Sequence, residues 1–167
     1  MTTLQHALAL SFFSALAITD ATVAQCTTPS SGAYSQVTAP GCSTASLVVT
    51  SPPTFNTYTT LVVTNLPPNP VGIEVVVFAF GLPPGPSPAW TTDVSGFPLP
   101  AGCFNHIADA AEYFESIGFP GLAAVTLPIP ASGLPIGYVV RAQAFPFDLG
   151  SFSLATATNS VCLHLAP

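Results

Sequence analysis

Hydrophobic positions along this chain recur with a period of two, in short runs cut by proline and glycine. Tyr58 to Leu66 alternates, with Leu61 and Val63 on one face and Thr60, Val62 and Thr64 on the other, the pattern of a half-buried strand. Ile73 to Phe80 (IEVVVFAF) is apolar on both faces, which predicts a central strand. Tyr138 to Phe145 sets Tyr138, Val140, Ala142 and Ala144 on one face and Val139, Arg141, Gln143 and Phe145 on the other. Leu47 to Thr50 is short and β-branched and stops at Pro52-Pro53. Leu122 to Ile129 turns Val125, Leu127 and Ile129 inward, and its prolines Pro128 and Pro130 mark an edge or a strand end. Asn159 to Leu165 closes the series with Val161, Leu163 and Leu165 inward.

Between these runs lie turns that cannot donate ladder hydrogen bonds, such as Pro67-Pro68-Asn69-Pro70, and the Pro/Gly loop from Gly81 to Pro88. Only Ala108 to Ser116 (ADAAEYFES) is ambiguous. Its alanines and glutamates favour a helix, and Asp109 with Glu112 matches a helix start. Six or more short strands without a long helical period predict an all-β chain, a disulfide-stapled antiparallel β-sandwich of Ig-like type. An outer-membrane barrel needs regular ten-residue alternation and aromatic girdles, which the proline-dense loops do not supply.

The first residues break the pattern. Residues 1–24 read as a cleaved signal helix, with an apolar stretch from Ala7 to Ile18 and a small-residue site at Thr22-Val23-Ala24. The n-region has no Lys or Arg. Val23-Ala24-Gln25-Cys26 superficially matches a lipoprotein box, but Gln25 stands where a small residue is required. The expected organisation is a leader over 1–24, a polar segment clasped by cysteines over 25–46, and a β-sandwich domain over 47–167. No later apolar stretch is long enough to span a bilayer as a helix, so the expected location is secreted, extracellular or on the cell surface.

Export changes the reading of the four cysteines, Cys26, Cys42, Cys103 and Cys162. An even number in an oxidising compartment predicts two disulfides. Of the three pairings, the expected one joins Cys26 to Cys42 as a local clasp and Cys103 to Cys162 as a long staple. By the chain-entropy model these contribute roughly 3 and 4 kcal/mol. There is no C-x-x-C spacing, and His106 and His164 make no zinc set with these thiols.

Charge is scarce. Of 167 residues only 5% are charged, with a single Lys or Arg and a net charge of -6, against roughly 25% charged in an ordinary domain. One basic residue cannot make the cationic footprint that binds nucleic acid. The 49% apolar content excludes a disordered chain.

Several segments together carry a family resemblance: PPNPVG followed by VVVFAFG, Leu-Pro-x-Gly-Cys at 99–103, TLPIP at 126–130, VVRAQAF at 139–145 and TNSVCLHL at 158–165. Over most of residues 42–165 the chain resembles secreted β-rich modules of uncharacterised role common in planctomycetes and similar bacteria. The resemblance implies an Ig-like or related sandwich and tilts ADAAEYFES toward a strand. Its motifs are structural and imply no mechanism. Such modules often belong to longer proteins, whereas this chain reads as a module standing alone.

Candidate chemistry is sparse. No G-x-S-x-G elbow is present. His106 and His164 are the only histidines beyond the leader, and His164 is expected at an exposed rim rather than as a base. His106, Asp109, Glu112 and Glu115 cluster in sequence but lack the dense oxygen ligands of a calcium loop. Glu74, Asp93 and Asp148 sit in separate segments, with nothing in the sequence to pair them for glycoside hydrolysis. Arg141 is expected to meet a carboxylate or carbonyls, a structural ion pair before an anion site. Trp90, with Tyr34, Tyr58, Tyr113 and Tyr138, is the candidate sugar-stacking platform.

These observations predict a secreted, non-enzymatic structural or adhesive module without cofactor or metal. Its expected partners are other extracellular proteins or envelope glycans. The alternatives are a carbohydrate-binding module using Trp90 and, further off, a small secreted hydrolase.

Overall fold

The structure is a computed structural model; it describes Cys26 and residues 35–69, 71–81, 91–93, 96–107, 110–118, 120–129 and 138–165. The expected leader, Trp90, Tyr34 and Asp109 lie outside the described residues. Nine strands and no helix form there: β1 (Ser35–Ala39), β2 (Ser46–Val49), β3 (Tyr58–Thr64), β4 (Glu74–Gly81), β5 (Ala110–Gly118), β6 (Leu122–Pro128), β7 (Val139–Asp148), β8 (Ser153–Leu154) and β9 (Ser160–His164). No described helix is long and apolar enough to cross a membrane.

The strands make two antiparallel sheets. One runs β1-β9-β7-β4-β5, with β8 added to β7; the other runs β2-β3-β6. Leu47, Leu61, Val63 and Ala123 from the small sheet share one core with Val76, Phe78, Ala142, Ala144, Val161 and Leu163 from the large one. The period-two alternation sets this division, because every second side chain of β3 turns inward. Each fully buried Leu, Val or Phe there contributes roughly 1.5–3 kcal/mol. β4 and β7 lie inside the large sheet and are covered on both faces. On the outer face Ala79, Cys103, Ile107, Phe145 and Leu154 form a second apolar cluster.

The ambiguous ADAAEYFES run contributes to β5, paired with β4 from Glu74↔Gly118 to Gly81↔Ala110. Helix propensity amounts to tenths of a kcal/mol per residue and yields here to a full ladder along the edge of β4. Where the chain crosses from β5 in one sheet to β6 in the other, a Cβ on Gly118 would overlap the Leu122 carbonyl and Ala123, so only glycine lets the two backbones approach this closely.

The disulfide expectation is corrected. Cys26 joins Cys162, and Cys42 joins Cys103, with Cα separations of 5.8 and 5.0 Å. The cause is β1, which lies within the polar N-terminal segment and runs antiparallel to β9, with Gln36 opposite Cys162 and Ala39 opposite Ser160. The chain entering β1 therefore approaches the Cys162 end of β9. The chain leaving it arrives at Ala157, whose carbonyl accepts from the Cys42 N–H at 3.1 Å. The strand between Cys26 and Cys42 holds them apart.

Asn159 fastens one sheet to the other. Its Oδ1 accepts the Leu47 N–H at 2.8 Å and its Nδ2 donates to the Leu47 carbonyl at 3.0 Å. The side-chain amide thus imitates a neighbouring strand for one residue of the β2 edge. Asn159→Ala leaves two buried backbone groups unpaired and is expected to cost about 2–4 kcal/mol. A urea midpoint indistinguishable from the parent protein would show that the bridge is dispensable.

Candidate functional site

Three regions were open to function, and the titratable one resolves first. Val139, Arg141, Gln143 and Phe145 share the outer face of β7 by the period of two, and register sets Cys162 opposite Arg141 and His164 opposite Val139. Arg141 is fully buried in this face. Its Nη1 donates to the His106 carbonyl at 3.4 Å, and its Nη2 lies 3.6 Å from Cys26 Sγ. Burial lowers its pKa from the ordinary value.

Gln143, unremarkable in the sequence, is the hub of the cluster. Its Nε2 donates to the carbonyls of Phe104 and Thr158, both at 2.9 Å, and its Oε1 accepts the His106 N–H at 2.7 Å. One amide thereby ties the 103–107 segment to β7 and to the approach of β9. An uncharged amide between two alanines, on the strand face that also carries Arg141, was the only signal available.

Both histidines are buried, His106 at 7% exposure and His164 at 9%. The exposed rim expected for His164 is corrected: β9 is covered on both sides, and all five of its residues are buried. Burial first, and the nearby Arg141 charge second, lower the His106 pKa to about 4; burial lowers that of His164. Neither ring makes a hydrogen bond through His106 Nδ1 or His164 Nε2, so no Ser–His or His–carboxylate pair is seen at those nitrogens.

The linkage has a definite sign. A histidine depressed in the folded state is protonated more readily when the chain unfolds. Stability therefore falls as pH drops from about 6.5 toward about 4. Between pH 7 and pH 5, above the ordinary carboxylate range, His106 is expected to remove about 1–2 kcal/mol. Urea titrations at both pH values should show this, and His106→Phe should flatten the difference. An equally steep pH dependence in that variant would rule out His106 as its source.

The second region is a cleft of about 230 Å³ on the outer face of the large sheet, lined by Val75, Val77, Asp93, Phe97, Phe147 and Leu154 among others. Phe147 meets Phe97 and Phe152 edge to face, at centroid distances of 6.1 and 5.6 Å. Phe152 is 75% exposed and holds a left-handed backbone (φ 55°), unusual for a bulky residue. Asp93 Oδ1 accepts the Phe97 N–H at 2.8 Å, which closes the turn that carries Phe97. The cleft offers apolar contact and one carboxylate.

The third region is the outward face of the small sheet. Ser46 and Val48 of β2, Tyr58, Thr60, Val62 and Thr64 of β3, and Leu122, Ala124, Thr126 and Pro128 of β6 lie side by side in register. None of them is charged. Tyr58 is 68% exposed, and the Thr60 and Thr126 hydroxyls bond across the strands at 3.2 Å. Each edge of this sheet carries a side-chain clasp: Asn159 caps β2 at Leu47, and Ser116 Oγ donates to the Ala124 carbonyl of β6 at 2.6 Å.

The remaining sequence candidates are dispersed. Glu112, Tyr113 and Glu115 lie on β5, and no group of three or more His, Cys, Asp or Glu able to hold a metal occurs among the described residues. Tyr138 is half-buried beside β9, its carbonyl accepting from the Leu165 N–H. Glu74 and Asp148, unrelated in sequence, line a common small pocket. No family model, curated protein or solved structure matches the chain.

Proposed function

We propose that this protein is an exported, non-enzymatic structural or adhesive module with an Ig-like sandwich fold, acting outside the cell or at its surface after removal of residues 1–24. The observation that carries this reading is the uncharged outward face of β2, β3 and β6. Ten side chains in register, apolar or hydroxyl-bearing, make a flat surface that costs little to dehydrate against a similar surface. Two disulfides support an oxidising compartment, and the resemblance to secreted β-rich modules points the same way. The candidate bases are buried, which supports a non-enzymatic role.

Sedimentation of the purified protein and its retention on the envelope of the producing cell test the proposal. Thr60→Lys with Val62→Lys places two charges in the centre of the face without touching the core. The pair is expected to cut self-association or retention at least tenfold and to leave the unfolding midpoint nearly unchanged. A strictly monomeric protein with no surface retention would end the adhesive reading.

A further inference from the structure

Glu74 opens β4 and Asp148 closes β7. These strands run antiparallel with Val76 opposite Pro146 and Val75 opposite Phe147. One position further, the same register sets Glu74 against Asp148. Side chains at opposed positions share a face, with Cβ atoms roughly 4.5–5.5 Å apart, and like charges there repel. Both residues line a pocket of about 100 Å³ between the β3–β4 turn and the β7–β8 hairpin.

The pocket offers Glu74 little relief. Glu74 is only 3% exposed, and its Oε1 is buried without a hydrogen bond. A carboxylate oxygen removed from water without a donor loses its hydration and gains nothing in return. The walls explain the missing donor. Pro67, Pro68 and Pro146 line the pocket and have no N–H to give. The Asn69 amide is turned to its own loop, donating to the Ile73 carbonyl at 2.9 Å.

Asp148 is held rigidly, accepting from the Gly150 N–H at 2.8 Å and from Ser151 Oγ at 2.7 Å. Those bonds, with a further one from the Ser151 N–H, keep its carboxyl below the usual range, and the carboxylate still has acceptor capacity to spare. Arg141, the one Lys or Arg of the protein, pairs with Gly81 at the opposite end of the β4–β7 ladder, so its guanidinium does not serve this pocket.

We propose that Glu74 and Asp148 are the anionic ligands of a calcium site that ties the β3–β4 turn to the β7–β8 hairpin. The lining holds two carboxylates and an asparagine and neither histidine nor cysteine, which selects a hard cation over zinc. Calcium accepts such a mixed, irregular oxygen set, whereas magnesium demands a near-ideal octahedron and keeps its waters. The volume suits an ion with its water and is too small for a sugar ring between two catalytic acids.

The test is thermal unfolding and calorimetric titration of the intact protein with calcium chloride, against chelator and against magnesium. Calcium up to about 10 mM, above the 10⁻⁴–10⁻³ M range of extracellular calcium modules, is expected to raise the midpoint by several degrees; magnesium should raise it less. Glu74→Gln should abolish the calcium response. That variant should also unfold in chelator no earlier than the parent, because the stranded carboxylate is gone. Asp148→Asn should weaken calcium binding at least tenfold. A parent midpoint unmoved by calcium would overturn the proposal, as would a Glu74→Gln protein that keeps the parent's response.

Discussion

Replacing Gln143 with methionine lowers the unfolding free energy by about 3–5 kcal/mol, the largest loss expected from a single residue outside the apolar core. Methionine nearly preserves volume and shape, so the change isolates the hydrogen bonds. Gln143 is fully buried and serves three backbone groups at once, the Phe104 and Thr158 carbonyls and the His106 N–H. Each buried backbone group left without a partner costs about 1–3 kcal/mol. Domains of this size are stable by only about 5–15 kcal/mol, so the variant should sit close to unfolding. Denaturant titration of the two proteins at pH 7 measures the difference. A loss under about 1 kcal/mol would mean that water or a shifted loop replaces the amide without difficulty.

Removing the Cys26–Cys162 bond by paired serine substitution is expected to cost about 5 kcal/mol in the chain-entropy model, and removing Cys42–Cys103 about 4 kcal/mol. The order follows from sequence separations of 136 and 61 residues. Reduction should follow a second order, set by access. Cys162 is fully buried under the 103–107 side of the large sheet, whereas Cys42 is exposed. Mild reductant should therefore open Cys42–Cys103 first. Peptide mapping without reduction checks the pairing itself; a peptide joining Cys26 to Cys42 would contradict the route of β1 along β9.

The two effects share a cause. The outer face of the large sheet is covered by irregular chain, which the smaller of the two apolar clusters holds from below. Two disulfides and one amide fix that covering. A small core and a nearly uncharged surface leave few other means of doing so. The pH response expected of His106 belongs to the same layer, because the residue is part of this covering, buried near Arg141.

Local pattern alone specifies six of the strands. β3, β6, β7 and β9 overlap runs whose apolar residues alternate, since a strand half buried in a sheet has no other way to arrange them, while β4 overlaps a run apolar on both faces and β2 a short β-branched run. The inward set of β3, Leu61 and Val63, was readable for the same reason. Four cysteines foretold two bridges. ADAAEYFES was undecidable locally, because its propensity favours a helix and only a vacant ladder position beside β4 makes it a strand.

The partners were a different matter. Which cysteines meet depends on β1 running back along β9, a contact between segments more than a hundred residues apart. Glu74 and Asp148 become neighbours through one register between β4 and β7, and Gln143 becomes a hub only because the 103–107 segment folds over it. Sequence periodicity reports how each residue faces its own strand. It carries no information on which strand or loop lies alongside, and in this protein the disulfides, the Gln143 hub and the proposed ion site each join segments distant in the chain.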